Sequence, residues 1–239
     1  MKYIFGPLKS RRLGSSLGVT LTPYKICTFD CVYCQLGKTK LKTRERKEYI
    51  SLPEISGELR NWLGAHPSEI QCLDYITLSG SGEPSLNIRI GDLIKEIKNT
   101  CNIPVAVITN ASLLADDFLR RGLEEADLIV PSLDAATQKV FEKIDRPASG
   151  IKIDEIIRDL IALRKEYKGR IWLEVMLAAG INDDLRQIKK LKAAIDEIKP
   201  DKIQLNSPVR STTEAGILPV ERQKLEKIRE ILGNNCEII

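Results

Sequence analysis

Leu73-Asp74-Tyr75-Ile76-Thr77-Leu78-Ser79-Gly80-Ser81-Gly82-Glu83-Pro84 reads as a strand that runs into a glycine turn. Residues 73–78 are rich in the aliphatic and β-branched types that strands favour. Two glycines within three positions then punctuate its end. Behind the turn, Ile90, Leu93, Ile94 and Ile97 recur at helical spacing and make one apolar stripe. Strand, turn and helix in that order is the building unit of an α/β protein.

The same unit recurs in both directions. Upstream, Leu17 to Leu21 reads as a strand, followed by Pro23 and a loop rich in cysteine. The next helix is marked by Ser51 and Glu54 at capping-box spacing and by the stripe Ile55, Leu59, Trp62 and Leu63. Downstream, Val105 to Thr109 is a strand and Leu113 to Arg121 a helix. Leu128 to Val130 is a strand; Thr137, Val140, Phe141 and Ile144 mark a short helix, and Ile153, Ile156, Ile157, Leu160 and Ile161 a longer one. Ile171 to Leu177 is a strand before the stripe Leu185, Ile188, Leu191, Ile195 and Ile198. Lys202 to Leu205 is a sixth, before a helix near Pro219 to Leu232 that Gly233 ends. Residues 1–239 carry no linker, low-complexity tract or short internal repeat and read as a single domain. Six such units imply a parallel sheet with right-handed crossovers. A six-unit partial barrel and an open doubly wound sheet both satisfy the pattern, and in either one ligands bind at the carboxyl ends of the strands.

Composition sets bounds on function. Among 239 residues, 43% are hydrophobic and 29% charged, which suits a soluble globular protein. Aromatics are only 5%, so neither an aromatic base-stacking surface nor a membrane belt is expected. No apolar run approaches the ~20 residues of a membrane span, and Met1 to Pro7 lacks a signal-peptide core, so the expected location is cytoplasmic. The net charge of +4 permits an anionic partner without demanding one. The run Lys38-Thr39-Lys40-Leu41-Lys42-Thr43-Arg44-Glu45-Arg46-Lys47 is denser and follows the cysteine loop directly.

That loop, Cys27-Thr28-Phe29-Asp30-Cys31-Val32-Tyr33-Cys34, has the spacing C-x3-C-x2-C. Three thiolates on one tight loop can each take one iron of a [4Fe-4S] cubane and leave the fourth without a protein ligand. An open coordination position is what a substrate-binding metal site requires. Structural zinc would want a fourth ligand, and the only histidine, His66, lies at the far end of a helix. A ferredoxin-like electron carrier, the non-enzymatic alternative, would want a fourth cysteine nearby.

The C-x3-C-x2-C spacing with Tyr33 just before the last cysteine resembles the signature loop of the radical S-adenosylmethionine (SAM) superfamily. The resemblance implies a partial (β/α)6 TIM-like barrel, a [4Fe-4S] cluster on Cys27, Cys31 and Cys34, and SAM chelated on the open iron. It implies reductive cleavage of SAM to methionine and a 5′-deoxyadenosyl radical that abstracts hydrogen from substrate. An electron donor of the flavodoxin or ferredoxin kind is implied as partner.

Further positions recur at the strand ends. Ser79 to Pro84, with Ser81, Gly82 and Glu83 at its centre, resembles the family turn whose backbone carbonyls receive the SAM amino group; glycine there admits close approach. Asn110, Ser132 and Asp134 are short polar residues that can reach the ribose hydroxyls and the methionine carboxylate, although Ser112 or Asp134 could equally cap the next helix. Asn206 is a candidate for the adenine. Alternation in Trp172 to Leu177 puts Glu174 on the face opposite Leu173 and Val175, pointing into the barrel, where a buried carboxylate needs a partner. Arg146 and Arg210, in loops on the same face, are candidates for an anionic substrate group.

Cys72 and Cys101 precede strands and Cys236 follows the last helix, so all three are expected at the opposite end, and no second cluster is expected on the catalytic face. Gly6 to Gly14, with Gly82-Glu83-Pro84 and Thr109-Asn110-Ala111, is similar to a compact branch related to archaeal wyosine synthases, which modify guanosine in tRNA using pyruvate. This makes tRNA modification one expected function and activation of a glycyl-radical enzyme, with a protein substrate, the alternative.

Overall fold

The computed structural model describes every residue, Met1–Ile239. It opens with two strands, β1 (Ile4–Ser10) and β2 (Gly14–Val19), and a pair of two-residue strands, β3 (Ile26–Cys27) and β4 (Leu41–Lys42). Then come α1 (Leu52–Ala65), α2 (Pro67–Ile70), β5 (Tyr75–Leu78), α3 (Ile90–Thr100), β6 (Val105–Thr109), α4 (Asp117–Leu123) and β7 (Leu128–Pro131). The second half is α5 (Gln138–Ile144), α6 (Ile153–Glu166), β8 (Arg170–Met176), α7 (Leu185–Ile198), β9 (Lys202–Asn206), α8 (Arg222–Leu232) and β10 (Cys236–Ile238). No helix is long and apolar enough to cross a membrane.

The main sheet has the order β1-β2-β5-β6-β7-β8-β9-β10. From β2 to β10 every pair is parallel, while β1 runs antiparallel to β2. Parallel strands laid side by side in chain order, with no reversal point, are the plan of a partial TIM-like barrel; a doubly wound sheet reverses its order at its binding crevice. The six strands expected from sequence are β2 and β5 to β9. The edge strands β1 and β10 are additions, because β1 contains Pro7 and a register shift and β10 is only three residues long.

Alternation divides the sheet into two faces. Leu17, Val19, Ile76, Leu78, Val105, Val107, Ile129, Ile171, Leu173, Val175, Ile203 and Leu205 are all buried in the main core. Each such side chain contributes about 1.5–3 kcal/mol on leaving water. The inner face is different: Leu13, Tyr75, Ala106, Leu128 and Val130 form a separate small cluster, flanked by Ile108 and Trp172.

Several helix starts differ from expectation. Ser51 is the N-cap of α1, but its hydroxyl donates to the Glu54 carboxylate (3.1 Å) instead of accepting an N–H. Glu54 is drawn aside because the same carboxylate oxygen accepts from Tyr3 Oη at 3.2 Å, and the Leu52 N–H goes to Glu48 at 2.7 Å. Neither Ser112 nor Asp134 caps a helix. Asp116 caps α4, accepting from the N–H groups of Phe118 (2.8 Å) and Leu119 (3.2 Å), and Thr137 precedes α5. Gly233, at φ 122, ends α8 as expected.

Candidate active site

The cysteine loop is clasped between two other loops at the carboxyl ends of the strands. On one side the Lys25 N–H donates to the Ser81 carbonyl (2.7 Å) and the Glu83 N–H to the Ile26 carbonyl (3.1 Å). On the other, the Asp30 N–H donates to the Asp145 carbonyl (3.0 Å), the Val32 N–H to Ile144 (2.9 Å) and the Ala148 N–H to Thr28 (2.8 Å). Five backbone groups of the segment from Lys25 to Val32 are thus satisfied by neighbours far away in sequence, which fixes where its thiols lie.

Each thiol has a polar partner. Lys25, buried and at φ 61, donates from Nζ to Cys34 Sγ at 3.0 Å. Asn110 Nδ2 lies 3.7 Å from Cys27 Sγ and donates to Thr28 Oγ1 at 2.7 Å. Cys31 Sγ donates to Asp145 Oδ1 at 3.3 Å. Burial pushes the Cys27 thiol up to about 12, helped by the Glu83 carboxylate, and lifts Cys31 well above its ordinary value, helped by Asp145. Metal binding must therefore displace protons from this loop.

The expected residues of strands β5 to β8 converge on it. Glu83 is buried, and its carboxylate accepts from Ser85 N–H (3.1 Å), Ser85 Oγ (2.6 Å), Thr109 Oγ1 (2.6 Å) and the Asn110 N–H (2.8 Å). Its side chain ties the β5 turn to the end of β6. Tyr33 Oη donates to Asp134, whose other oxygen accepts the Met176 N–H at 2.8 Å. Phe29, Tyr33, Asn110, Ser132 and Asp134 line one small cleft together with Asp145 and the core side chains Leu133, Phe141, Ile153 and Ile156. Glu174 and Asn206 lie inside the barrel, joined by Asn206 Nδ2 to Glu174 Oε1 at 3.0 Å. Glu174 points inward as expected, and its partner is Arg12 of the β1–β2 turn.

Arg146 and Arg210 are not in the cleft. Arg146 pairs with Glu214 (2.7 Å) and Asp30 (3.9 Å), so it braces the outside of the cysteine loop. Arg210 is exposed and donates to Gln35 at 3.0 Å. The residues missed from sequence are Arg12, Lys25, Thr28 and Asp145. Lys25 and Thr28 adjoin Cys27 and could have been named from position alone; Arg12 and Asp145 act across 162 and 114 residues and carry no local signal. Cys72 lies before β5, Cys101 before β6 and Cys236 at the start of β10, all at the amino ends of their strands.

The donor set fits a cluster with bound SAM. Three thiols share one loop without a fourth cysteine or a histidine beside them in sequence. Next to it, Thr22 Oγ1 is buried with no hydrogen-bond partner. It faces Gly82, where a Cβ would lie 2.8 Å from that oxygen. An orphaned hydroxyl beside a side-chain-free turn is a place made for a ligand's polar group.

Burial also pushes the carboxyl of Asp145 up to about 7, and that of Asp134, crowded by Asp145, well above the usual range. Between pH ~4 and ~7 the folded chain therefore binds more protons than the unfolded one, so stability falls as pH rises. The cluster-free protein is expected to lose on the order of 2 kcal/mol between pH 5 and 7.5. Urea midpoints across that range check this, and Asp145→Asn should flatten the slope; a midpoint that rises with pH would contradict it.

Residues 21–192 match the family model described as the radical SAM superfamily. The chain is 36% identical to a UPF0026 protein of Methanocaldococcus jannaschii, over 98% of this chain and 74% of that one. It is 39% identical, over 99% of its length, to a protein of Brachyspira hyodysenteriae named GTPase Obg, of which it spans only 34%. A probable dual-specificity RNA methyltransferase RlmN of Thermotoga maritima is 25% identical over 87% of this chain and 59% of its own length. Among solved structures, a radical SAM methyltransferase from Sphaerobacter thermophilus superposes with a TM-score of 0.73 at 17% identity, covering 94% of this chain and 66% of that one. TYW1 with a lysine-pyruvate adduct bound superposes at 0.62 and 20% identity, covering 91% and 72%.

Proposed function

Because the chain belongs to the radical SAM superfamily, an enzyme family that uses a [4Fe-4S] cluster and SAM, we propose that its substrate is an RNA and that Cys27, Cys31 and Cys34 hold the cluster. Cluster and SAM together supply hydrogen-atom abstraction. Lys25, Asn110 and Asp145 set the polarity around the thiols, while Tyr33, Ser132, Asp134 and the Ser81–Glu83 turn are the residues that would hold SAM. A flavodoxin- or ferredoxin-like donor supplies the electron.

The observation that carries the RNA reading is the position of the basic run. It is held against the cysteine loop: β4 pairs with β3, and the Thr43 N–H donates to the Cys27 carbonyl at 3.0 Å. Between positions 38 and 47 there are six basic residues and one acidic. Arg46 is pinned by Ser85 and Asp116, but Lys38, Lys40, Lys42, Arg44 and Lys47 are exposed. The mouth of the site is therefore edged with cations, as a polyanion requires. The RNA methyltransferase name of the Thermotoga relative agrees with this reading.

Neutralising Lys38, Lys40 and Arg44 to glutamine is expected to make the salt dependence of tRNA binding shallower, lowering the log–log slope by about 2. Equilibrium binding across a salt series reads this directly. An unchanged slope, or no salt-dependent binding by the unaltered protein, would sink the RNA reading and favour a protein substrate.

A further inference from the structure

The tip of the β1–β2 hairpin has entered so far only through the pairing of Arg12 with Glu174. The sheet is open between its edge strands β1 and β10, and this tip crosses the gap. Arg11 Nη1 donates to the Ile239 main-chain oxygen (3.1 Å), Gln204 Nε2 donates to the Arg12 carbonyl (3.1 Å), and Leu13 packs on the inner face. It carries two guanidiniums, that of the half-buried Arg12 and that of the exposed Arg11. Arg12 Nη1 contacts Glu174, and Arg11 Nη2 donates to Asn206 Oδ1 at 3.3 Å. Glu174 and Asn206 are bonded to each other, so they form one base plate under both arginines.

A guanidinium has five N–H donors. Arg12 spends one on Glu174, and its others have no protein acceptor. Its side chain stays 29% exposed while Glu174 is 6% exposed, so the carboxylate is sealed and the cation faces open space. A guanidinium anchored through one nitrogen, with no protein acceptor for its other N–H groups, has donors left for an oxyanion.

The place is right for a substrate. Glu174 bridges to Ser132 of the cleft, and Met176, two residues further along β8, is held by the same Asp134 that binds Tyr33. Two residues of strand put Glu174 about 7 Å below the strand ends where the cysteine loop lies. We propose that Arg12, half-buried over Glu174, and Arg11, exposed beside Asn206, form an oxyanion clamp that holds a carboxylate or phosphate group of the substrate, with Glu174 and Asn206 as positioning residues. A group held there leaves the rest of its molecule to extend toward the cleft. The clamp rests on Glu174 and Asn206 and the basic run on the cysteine loop, so it stands independently of the RNA reading.

The test uses cluster-loaded protein with SAM bound and two probes, inorganic phosphate and acetate, titrated by calorimetry. Binding of at least one probe is expected, with the stronger of the two telling a phosphate source from a carboxylate source. Arg12→Gln should weaken it at least tenfold, Arg11→Gln should weaken it as well, and Arg12→Lys should give an intermediate value because it keeps charge but loses the fork. Lys189→Gln, on the exposed side of α7, should leave it unchanged. Cluster content and urea midpoints show which variants fold; if Arg12→Gln does not, Arg11→Gln and Arg12→Lys decide. Failure of both probes to bind, equal binding by the arginine variants, or weaker SAM binding with unaltered probe binding would each overturn the clamp.

Discussion

Replacing Cys31 with alanine is expected to abolish formation of 5′-deoxyadenosine from SAM by the reduced protein. Cys31 is the middle of three thiols on a loop whose backbone is pinned on both sides, so no other cysteine can move in to replace it. Cys72, Cys101 and Cys236 lie at the amino ends of the strands, across the thickness of the barrel. Removing even a group that merely orients a metal ligand costs about 10–100-fold, and loss of a ligand should exceed that range. Iron and sulfide content should fall in parallel, because two thiols cannot hold a cubane against solvent. Cys72→Ala is the matched comparison: Cys72 is exposed and should change neither iron content nor turnover. Product formation by the Cys31 variant at the unaltered rate would remove the cluster assignment and with it the enzymatic reading of the loop.

The parts of this architecture that could be read from sequence are those set by local periodicity. Period-2 aliphatic runs gave six of the eight strands of the sheet, and the stripe Ile90, Leu93, Ile94 and Ile97 proved to be the buried side of α3. Alternation alone placed Glu174 inside the barrel. What it could not supply was the partner, because Arg12 reaches Glu174 only after the whole barrel has closed. The same holds for Asp145, which meets Cys31 through the loop after α5. Arg146 shows the opposite failure: it lies in the loop that was expected, but the neighbouring Glu214 and Asp30 draw it outward. Sequence therefore reported which residues share a face, and the tertiary contacts decided which of them touch.

Gly82→Ala is expected to be the most damaging substitution outside the cysteines, and its mechanism is steric. A Cβ at position 82 would fall inside the van der Waals envelope of the Ile26 carbonyl oxygen and within 2.8 Å of Thr22 Oγ1. The first of these neighbours is backbone, so no rotamer change relieves the clash. The β5 turn and the strand entering Cys27 must separate. That strains the hydrogen bonds from Lys25 to Ser81 and from Glu83 to Ile26, which flank the contact. Overpacking of this kind costs about 3 kcal/mol where the neighbour cannot yield, and the separation also displaces Cys27 from the other two thiols. Cluster content should therefore fall even at temperatures where the variant stays folded. Gly57→Ala supplies the opposite sign: Gly57 lies within α1 with open space around its would-be Cβ. There the change should stabilise by about 0.5–1 kcal/mol, through helix propensity and chain entropy. Urea midpoints and iron content measured on the two variants side by side separate a general intolerance of added methyl groups from a specific close approach. Equal iron content in both would mean that the glycine turn does not hold the cysteine loop in place.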